Sequence, residues 1–262
     1  MDQLVAEIAL YKYDRVCNLL SSFAEGERSW TLEDIQTFHM HYLGDEALEL
    51  AARKLSLNSS SRVLDVGSGF STTGCYLAER FGCTVFGVEL QKNISEIAKR
   101  VIDRLQLKDK VHSKRADFLE IAMDETFDHF VSFLVFLHIE EKEKLFSRAS
   151  DALAVGGTFY FEDFYIREEL SHDENELLER VVSCPRLLTR NEYIEVLEKS
   201  GFEVLEFDDV TDLWEDFVAK RAGQYRQEDE RDPDLSEFYD TISRLFQVGH
   251  LGGVRVYGRK VR

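Results

Sequence analysis

Strands and helices alternate along this 262-residue chain in the manner of an α/β protein, and the expected fold is a doubly wound, mostly parallel seven-stranded sheet. Three observations lead there. Residues 62–89, RVLDVGSGFSTTGCYLAERFGCTVFGVE, read as strand, glycine-rich turn, helix and strand in succession. The alternation then repeats through residue 163, which favours parallel strands joined by helices. Finally, Asp65, Glu89, Asp117, residues 134–138 and residues 163–165 all fall at expected carboxyl ends of strands, where open α/β sheets place their ligands.

The elements follow in order. Residues 2–23 carry Leu4, Ile8, Tyr11, Val16, Leu19, Leu20 and Phe23 at roughly helical spacing, and Glu25-Gly26-Glu27 ends that helix. Ser29 or Thr31 is a suitable N-cap for a second helical piece, with Glu33 or Asp34 in its first turn. Gly44 then leads into a helix over 45–55. Residues 1–56 are expected to form a helical lid, dense in aromatic and imidazole groups (Trp30, Phe38, His39, His41, Tyr42), ahead of a main domain over 57–262. Expected strands cover 63–64, 84–88, 110–113, 127–133 and 158–161, with helices over 75–80, 94–105 and 142–153. The helix at 94–105 aligns Ile94, Ile97, Ala98, Val101 and Leu105 on one face. A charged helical insertion on the substrate side is expected at about 167–200 and 211–245. It comprises a helix over 167–182, a turn or short strand at Pro185-Arg186-Leu187-Leu188, a Thr189-capped helix stopped by Gly201, and helices over 211–226 and 234–245. Strands at 202–207 and in the tail complete the sheet. QEDERD at 227–232 reads as a solvated charge run.

Composition narrows the function. With 50 Asp and Glu against 32 Lys and Arg, the formal charge of −18 argues against a nucleic-acid or anionic-membrane partner, both of which need clustered cations. The basic cluster in the tail (Arg255, Arg259, Lys260, Arg262) reads as solvated strand-edge charge, or as a hold on an anionic substrate group. An apolar fraction of 44% suits a packed core, and neither a membrane span nor a secretory leader is expected. Four cysteines without metal-ligand spacing (Cys17, Cys75, Cys83, Cys184) read as reduced thiols of a cytoplasmic protein, with no metal expected.

The turn at 65–74 carries the chemistry. Gly67 and Gly69 permit positive φ and let a ligand approach bare backbone, while the following helix N-terminus favours electron-rich groups. Glu89, at the end of the next strand, is placed to accept both hydroxyls of a ribose. The dinucleotide fingerprint would want a glycine where Thr72 stands and has no acid opening the turn, so a dehydrogenase is a poor reading. Asp65 instead suits a cationic nucleoside bearing an amino acid. Asp117 is either a partner for an exocyclic purine amine or an ordinary loop aspartate. His138, after the fourth strand, is a candidate general base or substrate-orienting group.

At these residues the sequence resembles the class I S-adenosylmethionine-dependent methyltransferases, whose opening motif reads much like VLDVGSG. The series HYLGDEA, VLDVGSG, VFGVE, ADF, LHIEEKEKLF, GGTFYFEDF and LLTRNEYIEVLEKSGF is similar to the phosphoethanolamine and the sarcosine/dimethylglycine N-methyltransferases, over about residues 39–207. The resemblance implies a Rossmann-like methyltransferase fold and S-adenosyl-L-methionine as cofactor. It implies that His41, Tyr42, Asp65, Gly67, Ser68, Gly69, Glu89, Leu90, Asp117, Phe118 and Phe133 bind that cofactor. The glycines would meet its methionine part, Glu89 the ribose, and Asp117 with Phe118 the adenine. His138 matches the histidine that pairs with a lid tyrosine in the phosphoethanolamine enzymes. The chain also departs from that pattern: Leu134 replaces an amine-holding aspartate, Phe164 (followed by Tyr165) a tyrosine, and Cys184 and Arg186 a phosphate-holding tyrosine and arginine, while Trp30 is the nearest match to the lid tyrosine. Trp30, Leu134, Phe164, Tyr165 and Arg186 are therefore the expected substrate-binding residues, with His138 catalytic.

The expected activity is methyl transfer to a small-molecule acceptor, most simply an amine nitrogen, by a monomer or weak homodimer. An aromatic, phenolic or lipid-like acceptor is the alternative, because the lost handles tilt the pocket apolar. A cofactor-binding regulator without catalysis is the other class of reading.

Overall fold

The computed structural model describes residues 29–227 and 233–262, so the expected helix over 2–23 and most of the 227–232 charge run lie outside the described residues. The first helix, α1 (Leu32–Ile35), is capped by Thr31, whose backbone N–H and hydroxyl donate to Asp34 Oδ2 at 2.7 and 3.0 Å. A 3₁₀ turn (Gln36–Phe38) leads towards α2 (Asp45–Leu55), which begins with Asp45 and Glu46 and ends with Arg53 and Lys54, complementing its dipole. Its buried stripe, Ala47, Leu48, Ala51, Ala52 and Leu55, packs into the same core as β1 (Arg62–Val66).

From β1 the alternation runs through α3 (Thr72–Phe81), β2 (Thr84–Glu89), α4 (Lys92–Arg104), β3 (Val111–Arg115), β4 (Phe127–Phe133), α5 (Lys142–Ala152) and β5 (Leu153–Ile166). Then come α6 (His172–Leu177), a π-helical turn (Leu178–Val182), α7 (Arg190–Lys199), β6 (Phe202–Asp209), α8 (Thr211–Tyr225), α9 (Pro233–Gln247) and β7 (Leu251–Lys260). The seven strands lie in the order β3-β2-β1-β4-β5-β7-β6. The first five are parallel to one another, and β7 runs antiparallel between β5 and β6.

The order reverses between β1 and β4, the switch point where a crevice opens beyond the strand ends. Pairing there stops at Asp65 opposite Val131. The Val66 carbonyl beyond it is taken by the Ser132 hydroxyl at 2.9 Å, so the strands part without leaving a buried acceptor unpaired. Both faces of β1 are covered, which is why Val63, Leu64 and Val66, on alternate faces, are all apolar and buried. One core joins α2, α3 and α4 to the sheet, a second joins α5 and α7, and a third lies beneath α8 and α9.

Two sequence expectations are corrected. β5 extends to Ile166, well past the expected 158–161, because β7 pairs along it from Thr158 opposite Arg259 to Ile166 opposite Leu251. The helix expected over 167–182 starts only at His172, where Ser171 and Glu174 form a capping box, and it widens to a π turn from Leu178. Among the described residues, no helix is long and apolar enough to cross a membrane.

Candidate active site

The loop after β1 is bent by three left-handed residues, Gly67 (φ 71°), Gly69 (φ 52°) and Ser71 (φ 60°). The N–H groups of Gly67 and Ser68 both donate to the Val88 carbonyl, at 2.9 and 3.0 Å, which pins the loop to β2. Gly67 has no room for a side chain, since an added Cβ would sit 2.4 Å from both Val135 methyls. At Gly69 the nearest atom would be Met40 Sδ at 3.5 Å, an ordinary contact, and the glycine lines the cavity described below. We expect Gly67→Ala to destabilise the chain by about 1–3 kcal/mol, combining the clash with a strained φ, as read by urea unfolding.

Glu89 ends β2 and is held from two sides. Its Oε2 accepts from the Gly69 N–H at 2.9 Å and its Oε1 from the Gln91 N–H at 2.8 Å. Burial pushes its carboxyl upward while these N–H groups pull it back. Asp117 closes the next strand end, with Oδ1 accepting from the Leu119 N–H at 2.9 Å and Phe118 buried beside it. Asp65 differs from both. It is 2% exposed, and its Oδ2 is buried with no hydrogen-bond partner. Burial, reinforced by the Glu89 charge, pushes its carboxyl up to about 7.

These strand ends surround a cavity of about 320 Å³. Of the residues singled out in the sequence, His41, Asp65, Gly67, Ser68, Gly69, Glu89, Leu90, Asp117, Phe118, Phe133, Leu134 and His138 all line it. A second cavity of about 180 Å³ adjoins it, walled by Tyr42, Phe164, Phe217, Phe238 and Tyr239 together with aliphatic side chains of α8, α9 and the segment after β4. Met40, His41, Leu134 and His138 line both. Leu134 holds a left-handed backbone (φ 55°), unusual for leucine, with its N–H donating to the Glu162 carbonyl at 2.8 Å.

Two imidazoles stand at this junction. His138 closes a 3₁₀ turn (Phe136–His138) that the buried Lys142 ammonium holds by donating to the Phe136 and Ile139 carbonyls. His138 Nδ1 lies 3.0 Å from the Ser183 carbonyl, which can only accept, so Nδ1 carries the proton and Nε2 the lone pair. Burial lowers its pKa to about 4. His41 is likewise neutral, lowered to about 3 by burial with His39 nearby. Its Nδ1 lies 3.1 Å from the Tyr42 carbonyl, and its Nε2 is buried without a partner. His39 ties this segment down, reaching Thr72 Oγ1 and Asp45 Oδ1, each at 3.0 Å.

Four residues do not take the places the sequence suggested. Tyr42 lines the second cavity alone, packed on Phe164, Trp214 and Phe217, and not the first. Trp30 lines neither, being stacked on Phe38 within the α2–α4 core, with its backbone N–H donating to the Arg104 carbonyl. Tyr165 points to the opposite face from Phe164, as neighbours on a strand must, and its hydroxyl donates to Asp209 Oδ2 at 2.7 Å. Arg186 is drawn into a two-pronged ion pair with Glu143, at 3.1 and 3.2 Å, outside both cavities. The sequence reading placed a helix over 211–226 in a substrate-side insertion but singled out none of the residues by which α8 walls the second cavity. Its signal was Trp214, Phe217, Val218 and Arg221 at the spacing of one helical face.

The first cavity fits S-adenosylmethionine. Asp65 Oδ2 is a buried acceptor wanting a cation, as an amino-acid ammonium would be. Glu89 is fixed from behind by N–H groups, leaving lone pairs for a diol, and Phe118, Ile94 and Leu90 give an apolar slot for a flat base. No cluster of metal-ligating side chains occurs among the described residues.

This sheet order, with an acidic glycine turn at its switch point, defines the Rossmann-like methyltransferase architecture. Residues 44–230 match the mycolic acid cyclopropane synthetase family, and the chain belongs to that family, which is S-adenosylmethionine-dependent. It is 30% identical over 184 residues to the phosphoethanolamine N-methyltransferase of Plasmodium falciparum (isolate 3D7), covering 68% of each chain. It is 24% identical over 239 residues to a sterol 24-C-methyltransferase of Clavispora lusitaniae, covering 84% of this chain and 62% of that one. Its fold matches the geranyl diphosphate C-methyltransferase of Streptomyces coelicolor A3(2) with a TM-score of 0.74 at 17% identity, over 92% of this chain and 87% of that one. The chain spans 62% to 68% of the length of the first curated relatives it matches.

Proposed function

We propose that the chain transfers the methyl group of S-adenosylmethionine to a small molecule seated in the second cavity. The observation that carries this reading is the shared wall: Met40, His41, Leu134 and His138 line both cavities, so a donor in one and an acceptor in the other meet there. The cofactor supplies a sulfonium methyl that a nucleophile can displace in line. The protein's part is to hold and orient. Asp65 pairs with the ammonium, Glu89 accepts the ribose hydroxyls, and Asp117 with Phe118 frames the adenine. Confining two reactants in adjoining buried compartments supplies much of the rate through proximity and exclusion of water. His138 Nε2, with its lone pair, takes or orients the proton shed by the acceptor.

The lining favours an acceptor with an apolar or aromatic body. Leu134 offers no carboxylate to an amine, Arg186 is engaged by Glu143, and phenyl and phenol rings with aliphatic side chains form most of the wall. An amine nitrogen is the second reading, supported by the 30% identity to a phosphoethanolamine N-methyltransferase and by ring faces able to hold a methylated ammonium.

The test combines calorimetric titration of S-adenosylmethionine with an acceptor screen using labelled methyl donor. Micromolar binding and turnover on one acceptor class is the expected result. Glu89→Ala is expected to weaken cofactor binding roughly 30-fold, the loss of about 2 kcal/mol of charge-assisted hydrogen bonding. Cofactor binding with no methyl transfer to any acceptor class would overturn the enzyme reading, and absence of binding would overturn the site.

A further inference from the structure

The second cavity has one charged side chain in its lining among the described residues, Arg221 of α8. Everything else there is aromatic, aliphatic, methionine or an imidazole, and burial keeps His39, His41 and His138 towards the neutral form. Carboxylates outnumber cations 50 to 32, and nearby arginines are neutralised: Arg180 by Glu237 at 2.7 Å and Arg226 by Asp240. Among the described residues Arg221 makes no hydrogen bond or ion pair, although acidic side chains are plentiful there. A guanidinium that no described carboxylate engages, at the rim of an apolar slot, is a hold for an anion.

Its position says where the anion sits. Trp214, Phe217, Val218 and Arg221 share one face of α8, and Trp214 and Phe217 pack on Tyr42. Arg221 lies one turn past Phe217, about 6 Å farther along the helix axis. It is exposed, whereas Trp214 is fully buried, so the face runs from the aromatic interior out to solvent. The imidazoles lie at the junction with the first cavity, and Arg221 lies at the mouth.

We propose that the second cavity selects an acceptor with an apolar body and a single anionic group, a carboxylate or a phosphate monoester, with Arg221 binding the anion. This rests on the reading that the acceptor occupies the second cavity. Arg221 is a specificity-determining residue, remote from the reacting atoms.

The experiment uses the full chain with S-adenosylhomocysteine bound and measures calorimetric affinities for three probes sharing one body: 4-phenylbutyrate, its methyl ester, and 3-phenylpropyl phosphate. We expect at least one anion to bind about ten-fold more tightly than the neutral ester, the scale of one charge-assisted contact at a half-open site. The better anion tells carboxylate from phosphate. In Arg221→Gln the gap between anion and ester should close to within about two-fold, Arg221→Lys should keep most of it, and Lys220→Gln, an exposed cation one residue away, should leave it unchanged. An ester that binds as well as both anions, a gap that survives Arg221→Gln, or a chain that binds S-adenosylhomocysteine but none of the probes would each overturn the proposal. Failure to bind S-adenosylhomocysteine would instead strike the cofactor site itself.

Discussion

Replacing Asp65 by asparagine is expected to make the ligand-free chain more stable and the cofactor far harder to hold. The Asp65 carboxyl is buried, lacks a partner for Oδ2 and is pushed up to about 7 by burial and by Glu89. A carboxyl raised from 3.8 to about 7 binds its proton more tightly in the native state, so stability falls as pH rises through that window, by up to about 4 kcal/mol at its top. An asparagine amide carries no charge to desolvate, although its own unpaired polar atoms cost about 1–3 kcal/mol. The charge penalty wins by a small margin above pH 7. The ligand-free Asp65→Asn melting temperature at pH 8 should therefore rise by about 5 °C, given roughly 2–4 °C per kcal/mol for a chain of this size, and the gain should vanish near pH 4. The same change removes the counter-charge for an ammonium, and affinity for S-adenosylmethionine should drop about 100-fold, near 3 kcal/mol. Calorimetry and thermal melts at the two pH values check both halves. A variant that melts lower at pH 8 and binds cofactor normally would show that Asp65 serves only to shape the turn.

The first cavity was legible in the sequence and the second less so. Asp65, Gly67, Gly69, Glu89 and Asp117 act through local features: a strand end, a turn that tolerates positive φ, an acid placed by the next strand. Such features are fixed within a few residues, so a linear reading finds them, and the first cavity gathers all of them. Even β6 and the Thr189-capped helix announced themselves through short-range signals, with Glu192 reaching back to its cap. The second cavity is assembled from residues nearly 200 positions apart, Tyr42 to Tyr239, and its walls depend on which face each element presents. Phe164 and Tyr165 were indistinguishable as letters; only strand pairing decides that Phe164 faces the cavity and Tyr165 faces Asp209. Arg186 looked free until α5 brought Glu143 alongside it. The long β5 was likewise invisible, because its partner β7 is the last strand of the chain.

The loss of activity on changing His138 should be the largest of any single substitution in this site. His138→Asn is the informative variant, because an asparagine amide can still donate towards the Ser183 carbonyl and so preserve the local packing while removing the basic lone pair. If the imidazole receives or orients the acceptor's proton, kcat should fall on the order of 10²–10³-fold. Melting temperature and cofactor affinity should stay within about two-fold or a few degrees of the parent, since Asp65 and Glu89 are untouched. The pH profile supplies a second readout. Burial lowers the His138 pKa to about 4, so the neutral form persists from alkaline pH down to that point. Activity carried by His138 should therefore not decline through pH 6.5 as for an exposed histidine, and any acid limb due to it should fall near pH 4. Stability moves with the same sign: the unfolded histidine takes up its proton below 6.5 and the native one only near 4, so the chain loses this contribution as pH falls between them. A His138→Asn variant with kcat within about three-fold of the parent would reduce the imidazole to a prop for the π turn at Leu178–Val182. Proton transfer would then fall to His41, whose buried Nε2 has no hydrogen-bond partner and stands at the wall between the two cavities.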